Sequence, residues 1–120
     1  MTAPNIAALS TITGKSVGVA VGTSATDVVA NAASSNKVFK INSLIIANVD
    51  GTNNAEVTVV LQKAGSNDFH LAKTVVVPAD ATLVLLTKDT QIYLEENDKI
   101  QATAGAASDL EAVCSYEEIS

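Results

Sequence analysis

Arginine and tryptophan are absent from this sequence, and the absence of arginine narrows the range of possible partners. The seven positive charges are all lysines, and they face thirteen acidic residues for a net charge of −6. Arginine is the side chain best suited to binding phosphate and guanine. An acidic chain is also repelled by nucleic acids and by anionic membrane surfaces. The composition therefore predicts that the protein binds neither nucleic acid nor membrane.

Cysteine and long apolar runs are also scarce. The single cysteine, Cys114, excludes an internal disulfide. No apolar run approaches the roughly 18 residues that a membrane span requires. Residues 1–5 lack the basic region with which a signal peptide begins. We therefore expect a protein that is made in a cytoplasm and carries no visible export signal.

Aromatic residues make up only 3% of the chain, whereas hydrophobic residues make up 48%. The core must therefore be built from Val, Ile, Leu and Ala. Charged residues account for 17% of the chain, below the usual share of about a quarter, and the mean hydropathy is +0.29. These values predict that some neutral or apolar surface meets a partner. The shortage of aromatic rings argues against a sugar-stacking site.

The pattern that is present is β-type alternation, interrupted at short intervals by turn residues. It predicts nine strand segments: Ile12–Val21, Asp27–Ala30, Val38–Val49, Ala55–Lys63, Asp68–Val77, Thr82–Leu86, Ile92–Leu94, Ile100–Thr103 and Leu110–Ile119. We predict an all-β fold, a single antiparallel sandwich of about eight or nine strands over residues 12–120, either jelly-roll or immunoglobulin-like.

Two segments carry more detailed expectations. The long apolar run Val38–Val49 reads as the central strand, buried on both faces in its second half. In the segment Asp68–Val77, Phe69 and Leu71 share one face with Val75 and Val77. Lys73 interrupts that face, so this strand is expected to be half covered.

Residues 1–11 precede the first strand, contain Pro4 and show little alternation. If extended, they would reach about 36 Å. A frayed terminus is one interpretation. The other, which we adopt as the expectation, is an extended N-terminal arm that docks on a neighbouring subunit by strand addition.

Four features could in principle carry chemistry, and each is expected to be structural. His70 is the single histidine and needs converging carboxylates before it can hold a metal. Cys114 alternates with core residues, where a thiol is inert. Nothing in the sequence indicates that the acidic turn 95–98 lies in the cleft that a catalytic carboxylate pair needs. Loop 50–54 lacks the closing glutamate of a calcium loop. We therefore predict no catalytic residue, no cofactor, no metal and no enzymatic activity.

Several strand and turn segments resemble those of small β-sandwich virion proteins of tailed bacteriophages, particularly phages of marine and cyanobacterial hosts. The resembling segments are Lys37–Gly51, Val77–Leu83, Ile92–Ile100, Asp109–Val113 and Ser115–Ile119. In such proteins the turn that corresponds to residues 95–98 is often Glu-Glu-Gly-Asp. Asn97 replaces the glycine here, and asparagine is the next residue most tolerant of positive φ.

The resemblance implies a structural role in a virion and supplies no catalytic residues. The function we expect is capsid decoration, in which a cement protein stabilises the head by bridging its subunits. The implied partners are other virion proteins, above all the major capsid protein, and copies of the chain itself, with a trimer suited to symmetric positions. A neck, tail or fibre subunit, or a receptor- or glycan-binding module, remains the alternative.

Overall fold

The computed structural model describes residue 8 and residues 10–120 of the chain. Nine strands make up most of this part: β1 (Ile12–Ala20), β2 (Thr26–Ala30), β3 (Val38–Asn48), β4 (Ala55–Lys63), β5 (Asn67–Val77), β6 (Thr82–Leu86), β7 (Ile92–Leu94), β8 (Lys99–Ala104) and β9 (Leu110–Ile119). A 3-10 turn, Lys88–Thr90, separates β6 from β7. The predicted all-β sandwich and its nine strands are confirmed. The predicted arm, residues 1–11, lies largely outside the described residues.

The strands form two antiparallel sheets. One has five strands in the order β1-β9-β3-β6, with β7 also pairing with β3, and the other has four in the order β2-β8-β4-β5. In both sheets, strands near the start of the chain therefore pair with strands near its end. The edge strands β1 and β2 lie at the same side of the sandwich. Of the two predicted alternatives, this order is that of a jelly roll. None of the helical segments in the described residues is long and apolar enough to cross a membrane.

The core fills the space between the sheets with aliphatic side chains, as the scarcity of aromatic residues predicts. Its largest fully buried members are Ile41, Leu44, Ile46, Leu94, Ile100 and Leu110. An aromatic stack joins Phe39 to Tyr116 across β3 and β9, with ring centroids 5.2 Å apart. Because β-strand side chains alternate between faces, most strands contribute alternate residues to this core, and register shifts interrupt that alternation in β2, β3 and β5.

The strand β3 is central, as predicted, because it pairs with β9 on one side and with β6 and β7 on the other. The prediction that its second half is buried on both faces is wrong. Leu44 and Ile46 are buried, whereas Ile45 and Ala47 between them are half-buried. The second sheet covers only the inner face of β3, so the outer face stays open.

The strand β5 also departs from its expected pattern. Phe69, expected on the inner face, is 59% exposed, whereas Ala72, expected on the outer face, is buried. The ladder between β4 and β5 shifts register twice, and Thr74 lies in the left-handed region at φ 46° with its N–H donated to Thr58 Oγ1 at 3.0 Å. A β-bulge changes which residues face inward, so strict alternation through Lys73 could not predict the buried set.

Buried asparagines fasten the loops at both ends of the sandwich. At one end, Asn31 Nδ2 donates to the carbonyl oxygens of Lys37 and Leu94 at 2.9 and 3.1 Å. At the other end, Asn48 Nδ2 donates to the carbonyl oxygens of Asn53 and Val77 at 3.0 and 2.9 Å. Each asparagine therefore joins segments that are distant in sequence, which holds the loops rigid against the sheets.

Candidate functional site

The two most reactive types of side chain in the sequence, His70 and Cys114, lie in different sheets. His70 is exposed on β5, and Cys114 is fully buried on β9 in the other sheet. Burial raises the pKa of the Cys114 thiol to about 11. The thiolate is the reactive form of cysteine, so this thiol is a core side chain, as its alternation predicted.

The acidic turn between β7 and β8 contains one residue whose role the sequence did not reveal. Asp98 is 2% exposed. Its carboxylate accepts hydrogen bonds from Lys63 Nζ at 2.6 Å and from the N–H groups of Ala64 and Glu95, both at 2.9 Å. The bonds from Lys63 to the carboxylates of Asp98 and Glu95 raise the pKa of Lys63, with Asp98 as the largest cause. The carboxylate is fully occupied in joining the β4–β5 turn to the β7–β8 turn.

Loop 50–54 at the opposite end holds a second carboxylate contact. Asp50 accepts N–H bonds from Thr52 and Asn53, and these bonds lower its pKa. Asp109 lies against Asp50, and its pKa is raised by desolvation and by the neighbouring charge. The loop is therefore braced by the N–H bonds that Asp50 accepts, while the neighbouring Asp109 carboxylate is held at an electrostatic cost. Among the described residues, no group of three or more His, Cys, Asp or Glu side chains could hold a metal ion.

The surface that differs most from an ordinary polar exterior is the outer face of the five-stranded sheet. A row of residues crosses it in register, from Val84 on β6 through Ile45 and Val113 to Gly18 on β1. Val84 is 56% exposed and Val113 is 41% exposed. We call this row and its two flanking rows the neutral face, and the flanking residues are Ser43, Ser115, Ser16, Thr82, Ala47, Glu111 and Ala20.

The neutral face carries almost no charge. Most of its side chains are small, and Glu111 is its only ionisable member. A shallow hollow of about 250 Å³ on this face is lined by Gly18, Val19, Ala20, Glu111, Ala112 and Val113. A second hollow of about 220 Å³ on the other sheet is lined by Glu56, Thr58, Thr74, Thr103, Ala104 and Gly105. Neither has an aromatic lining, and both are smaller than typical ligand pockets.

The open edge beside this face is β1. An ion-pair network fixes it to its own sheet, because Glu118 of β9 binds Lys15 Nζ at 2.8 Å and Lys37 Nζ at 3.0 Å. The bond from Lys15 is the main cause that lowers the pKa of Glu118. The candidate functional site is therefore the neutral face together with the edge strand β1 beside it. This surface is suited to contact with another protein.

The composition predicted a neutral or apolar contact surface, and two of the predicted strand segments, Val38–Val49 and Thr82–Leu86, contribute to the neutral face. The sequence prediction did not include the residues that β1 and β9 add to this face. A signal was present, because the alternate residues Gly14, Ser16, Gly18 and Ala20 are all small and uncharged. Such a stripe on an amphipathic strand marks a face that is neither core nor ordinary polar surface.

Comparison with known proteins shows that the fold is shared. No protein-family model matches the chain, and no curated protein matches it. The chain is similar to one from Bacillus endospore appendages, described as a novel family of disulfide-linked pili, with a TM-score of 0.53, 18% identity, and coverage of 98% of this chain and 96% of that chain. It is also similar to a chain of the acidic stable capsid structure of Helicobacter pylori bacteriophage KHP30, with a TM-score of 0.50, 8% identity, and coverage of 94% of this chain and 90% of that chain.

The two similarities extend over nearly the whole chain, so this chain carries no large insertion relative to either structure. At such low identities they establish the fold and not the role. One chemical difference from the appendage subunit concerns disulfides. The single cysteine of this sequence is buried, so the described surface offers no thiol for linking subunits.

Proposed function

We propose that the protein is a non-enzymatic structural subunit of a virion that acts by surface contact. The observation that carries the proposal is the neutral face, an almost uncharged surface on the outer side of the five-stranded sheet. Exposed apolar patches on soluble proteins mark interaction sites, and Val84, Ile45 and Val113 form an apolar row along this face. The fold is one that a phage capsid structure and a pilus also contain, and both of those are extended assemblies.

The specific role proposed is capsid decoration in a tailed phage. A decoration protein sits over junctions between capsid subunits and buries apolar area on several of them, at about 25 cal/mol for each Å² removed from water before association costs. Many copies acting together multiply the effect through avidity. The partners under this proposal are the major capsid protein and further copies of the chain.

Mapping the protein in intact particles tests this role. Gold-labelled antibody raised against the protein is applied to purified particles of the phage that encodes it. The proposal expects dense labelling over the head, in hundreds of copies. Labelling confined to the tail or neck, in small multiples of six, would assign the protein to the alternative position, and unlabelled particles would remove it from the virion.

The neutral face can be tested in the same particles. Val84→Glu and Val113→Glu place a charge at one end and in the middle of the row, at positions that are already exposed, so folding is retained. We expect the variants to leave the head or fail to add to it. The matched control is His70→Glu, which places the same charge on an exposed position of the other sheet and is expected to bind the head normally.

The proposed arm is tested separately by deleting residues 1–9. Under the docking hypothesis the shortened chain keeps its melting temperature and loses affinity for the particle. Unchanged affinity would show that the arm takes no part in attachment, while the role of the neutral face would still stand.

A glycan-binding module is the alternative from another class. Sugar recognition favours a concave site with an aromatic platform and convergent polar groups, and neither of the two hollows has an aromatic lining. Fluorescently labelled protein on a glycan array is expected to give no signal, and saturable binding to one glycan class would favour the alternative.

A further inference from the structure

The edges of the two sheets differ in how well they are protected. An outer strand exposes unpaired N–H and C=O groups, and proteins guard such edges with short strands, bulges, charges or cover. In the described part of the chain, β2 and β6 have five residues each and pair through a register shift, and β7 has three residues. The long edge strand β5 shifts register twice and holds Thr74 in a positive-φ bulge.

Among residue 8 and residues 10–120, nothing gives the strand β1 any of these protections. Its nine residues pair with β9 without a register shift. Its single charged residue, Lys15, does not guard the edge, because Nζ reaches across the strand's own sheet to Glu118 at 2.8 Å. A Cβ added at Gly14 would meet no atom within 4 Å, and one added at Gly18 would meet only the carbonyl oxygen of Ala112 at 4.0 Å. In an antiparallel pair, the N–H and C=O groups of alternate residues point away from the partner strand. Every second residue of β1 therefore presents these groups to the open side of the sheet.

We propose that β1 pairs antiparallel with β1 of a second copy of this chain. The pairing joins the two five-stranded sheets into one continuous sheet of twice that width. The partner is a second copy because a regular, unguarded edge strand pairs best with another strand of the same kind. Among the described strands, β1 is the one with these properties. The contact is isologous and closes with two-fold symmetry. It does not rest on the proposed function.

The register of this pairing follows from the faces of the sheet. Residues directly opposite one another point to the same face, so even-numbered residues of one β1 must oppose even-numbered residues of the other. Full overlap of the nine residues places the two-fold axis at Ser16, so that Ser16 opposes Ser16 and Gly14 opposes Gly18. Lys15 then opposes Val17 and does not meet its own copy.

This register also gives a place to an exposed apolar side chain. Ile12 is 54% exposed and lies on the outer face at the start of β1. In the paired sheet Ile12 of the second copy opposes Ala20, at the hollow of about 250 Å³ that Gly18, Ala20, Glu111 and Val113 help to line. Because Gly18 has no side chain, this hollow stays open in the single chain. The two-fold symmetry then places an Ile12 side chain at the hollow of each copy. The neutral faces of both copies become one surface.

Cysteine crosslinking tests both the contact and its register. Directly opposed residues bring their Cβ atoms to about 5 Å, so Ser16→Cys is expected to form a disulfide-linked dimer under mild oxidation. Gly14→Cys is the matched control on the same strand, because its own copy lies about 13 Å away in this register. Gly14→Cys mixed with Gly18→Cys is expected to crosslink as a heterodimer. Cys114 does not interfere because it is buried.

Solution mass and a charge variant complete the test. Sedimentation of the full chain is expected to show a reversible dimer of twice 12.3 kDa. Ser16→Glu places like charges opposite each other at the axis and is expected to weaken dimerisation by about tenfold or more, with His70→Glu on β5 as the unchanged control. Circular dichroism melts that match the parent protein confirm that each variant is folded.

Three results would overturn the inference. They are a parent chain that stays monomeric at several hundred micromolar, a trimer in place of a dimer, and crosslinking of His70→Cys in place of Ser16→Cys. None of these results bears on the particle labelling that tests the proposed function, so the two proposals can fail independently.

Discussion

Among single residues, Asp98 connects more of the structure than any exposed charge does. Its carboxylate binds Lys63 Nζ at 2.6 Å and two backbone N–H groups at 2.9 Å, and it is 2% exposed. Removing this carboxylate leaves the N–H groups of Ala64 and Glu95 without their acceptor and Lys63 without its buried partner, and bonds to charged groups are stronger than neutral ones. We expect Asp98→Ala to lower the free energy of unfolding by about 3 kcal/mol.

Urea denaturation measures this effect, and Glu95→Ala is the control. Glu95 also binds Lys63, at 2.9 Å, but its side chain is 68% exposed. Exposed pairs contribute between about 0 and 1 kcal/mol, so this variant is expected to match the parent closely. Equal losses for the two variants would contradict the importance assigned to burial.

Cys114 should report on opening of the core. Its thiol is fully buried, and its pKa is raised to about 11 by that burial. We expect a disulfide reagent such as DTNB to leave it unmodified at pH 8 and to react within seconds once urea unfolds the chain. Rapid reaction in the native state would show that β9 opens without global unfolding.

At this scale the sequence could predict Cys114 but not Asp98. Alternation along β9 depends on neighbours in the chain, so the inward position of Cys114 is visible in the letters themselves. Asp98 belongs to a polar turn that reads as solvated. It is buried because the turn at Ala64 packs over it, and that contact joins segments that lie far apart in sequence.

Among the elements, β5 carries the clearest local strain. Thr74 is β-branched yet lies at φ 46°, in a region that costs such a residue about 1–2 kcal/mol. We expect Thr74→Gly to raise the free energy of unfolding by roughly 0.5–1 kcal/mol, because relief of strain exceeds the entropy that glycine adds to the unfolded chain. The midpoint of urea denaturation measures the change.

Thr13→Gly on β1 is the matched control, because Thr13 is also exposed on an edge strand but is not among the positive-φ residues. Glycine inside an ordinary strand should destabilise by about 0.5–1 kcal/mol. The two substitutions are thus expected to act in opposite directions. A loss of stability in both would mean that the bulge holds Thr74 without strain.

The contact between loop 50–54 and the start of β9 should respond to pH. Asp109 has a pKa raised above 3.8 in the folded protein, chiefly by desolvation and then by Asp50. A raised carboxyl pKa stabilises the fold at low pH, and that contribution is lost as the pH rises through the folded value. Asp109→Asn keeps the neutral form at every pH.

We therefore expect Asp109→Asn to gain stability over the parent protein as the pH rises from below 3.8 towards neutrality. Thermal melts at a series of pH values measure the difference. Asp50→Asn should act in the opposite sense, because the pKa of Asp50 is lowered by bonds from Thr52 and Asn53. A pH-independent difference for Asp109→Asn would show that the two carboxyl groups do not interact.

The strand boundaries were largely predictable, since most differ from the sequence prediction by no more than one residue. The bulge in β5 was not, because it depends on Thr58 of the neighbouring strand accepting the N–H of Thr74. The sequence also did not show that β3 is covered on one face only. The consecutive apolar residues Leu44, Ile45 and Ile46 predict a strand buried on both faces, whereas in the two-sheet structure the outer face stays exposed.

At the scale of the whole molecule, alternation established the sandwich but left the jelly roll and the immunoglobulin order equally open. The distinction lies in pairings such as β1 with β9 and β2 with β8, which no local pattern encodes. The neutral face is a product of the same pairings, because it brings Val84, Ile45, Val113 and Gly18 into one row from four separate segments.

The net charge of −6 gives self-association a predictable dependence on salt. Two copies repel each other, while backbone pairing at β1 involves no ion pair between them, because Lys15 is already bound to Glu118 within its own chain. Raising the ionic strength from about 0.01 M to about 1 M shortens the Debye length from about 30 Å to about 3 Å. We therefore expect the dimer to tighten with salt, measured by sedimentation equilibrium. An interface held by salt bridges between copies would weaken over the same range, so a dimer that dissociates at high salt would place the contact elsewhere on the molecule.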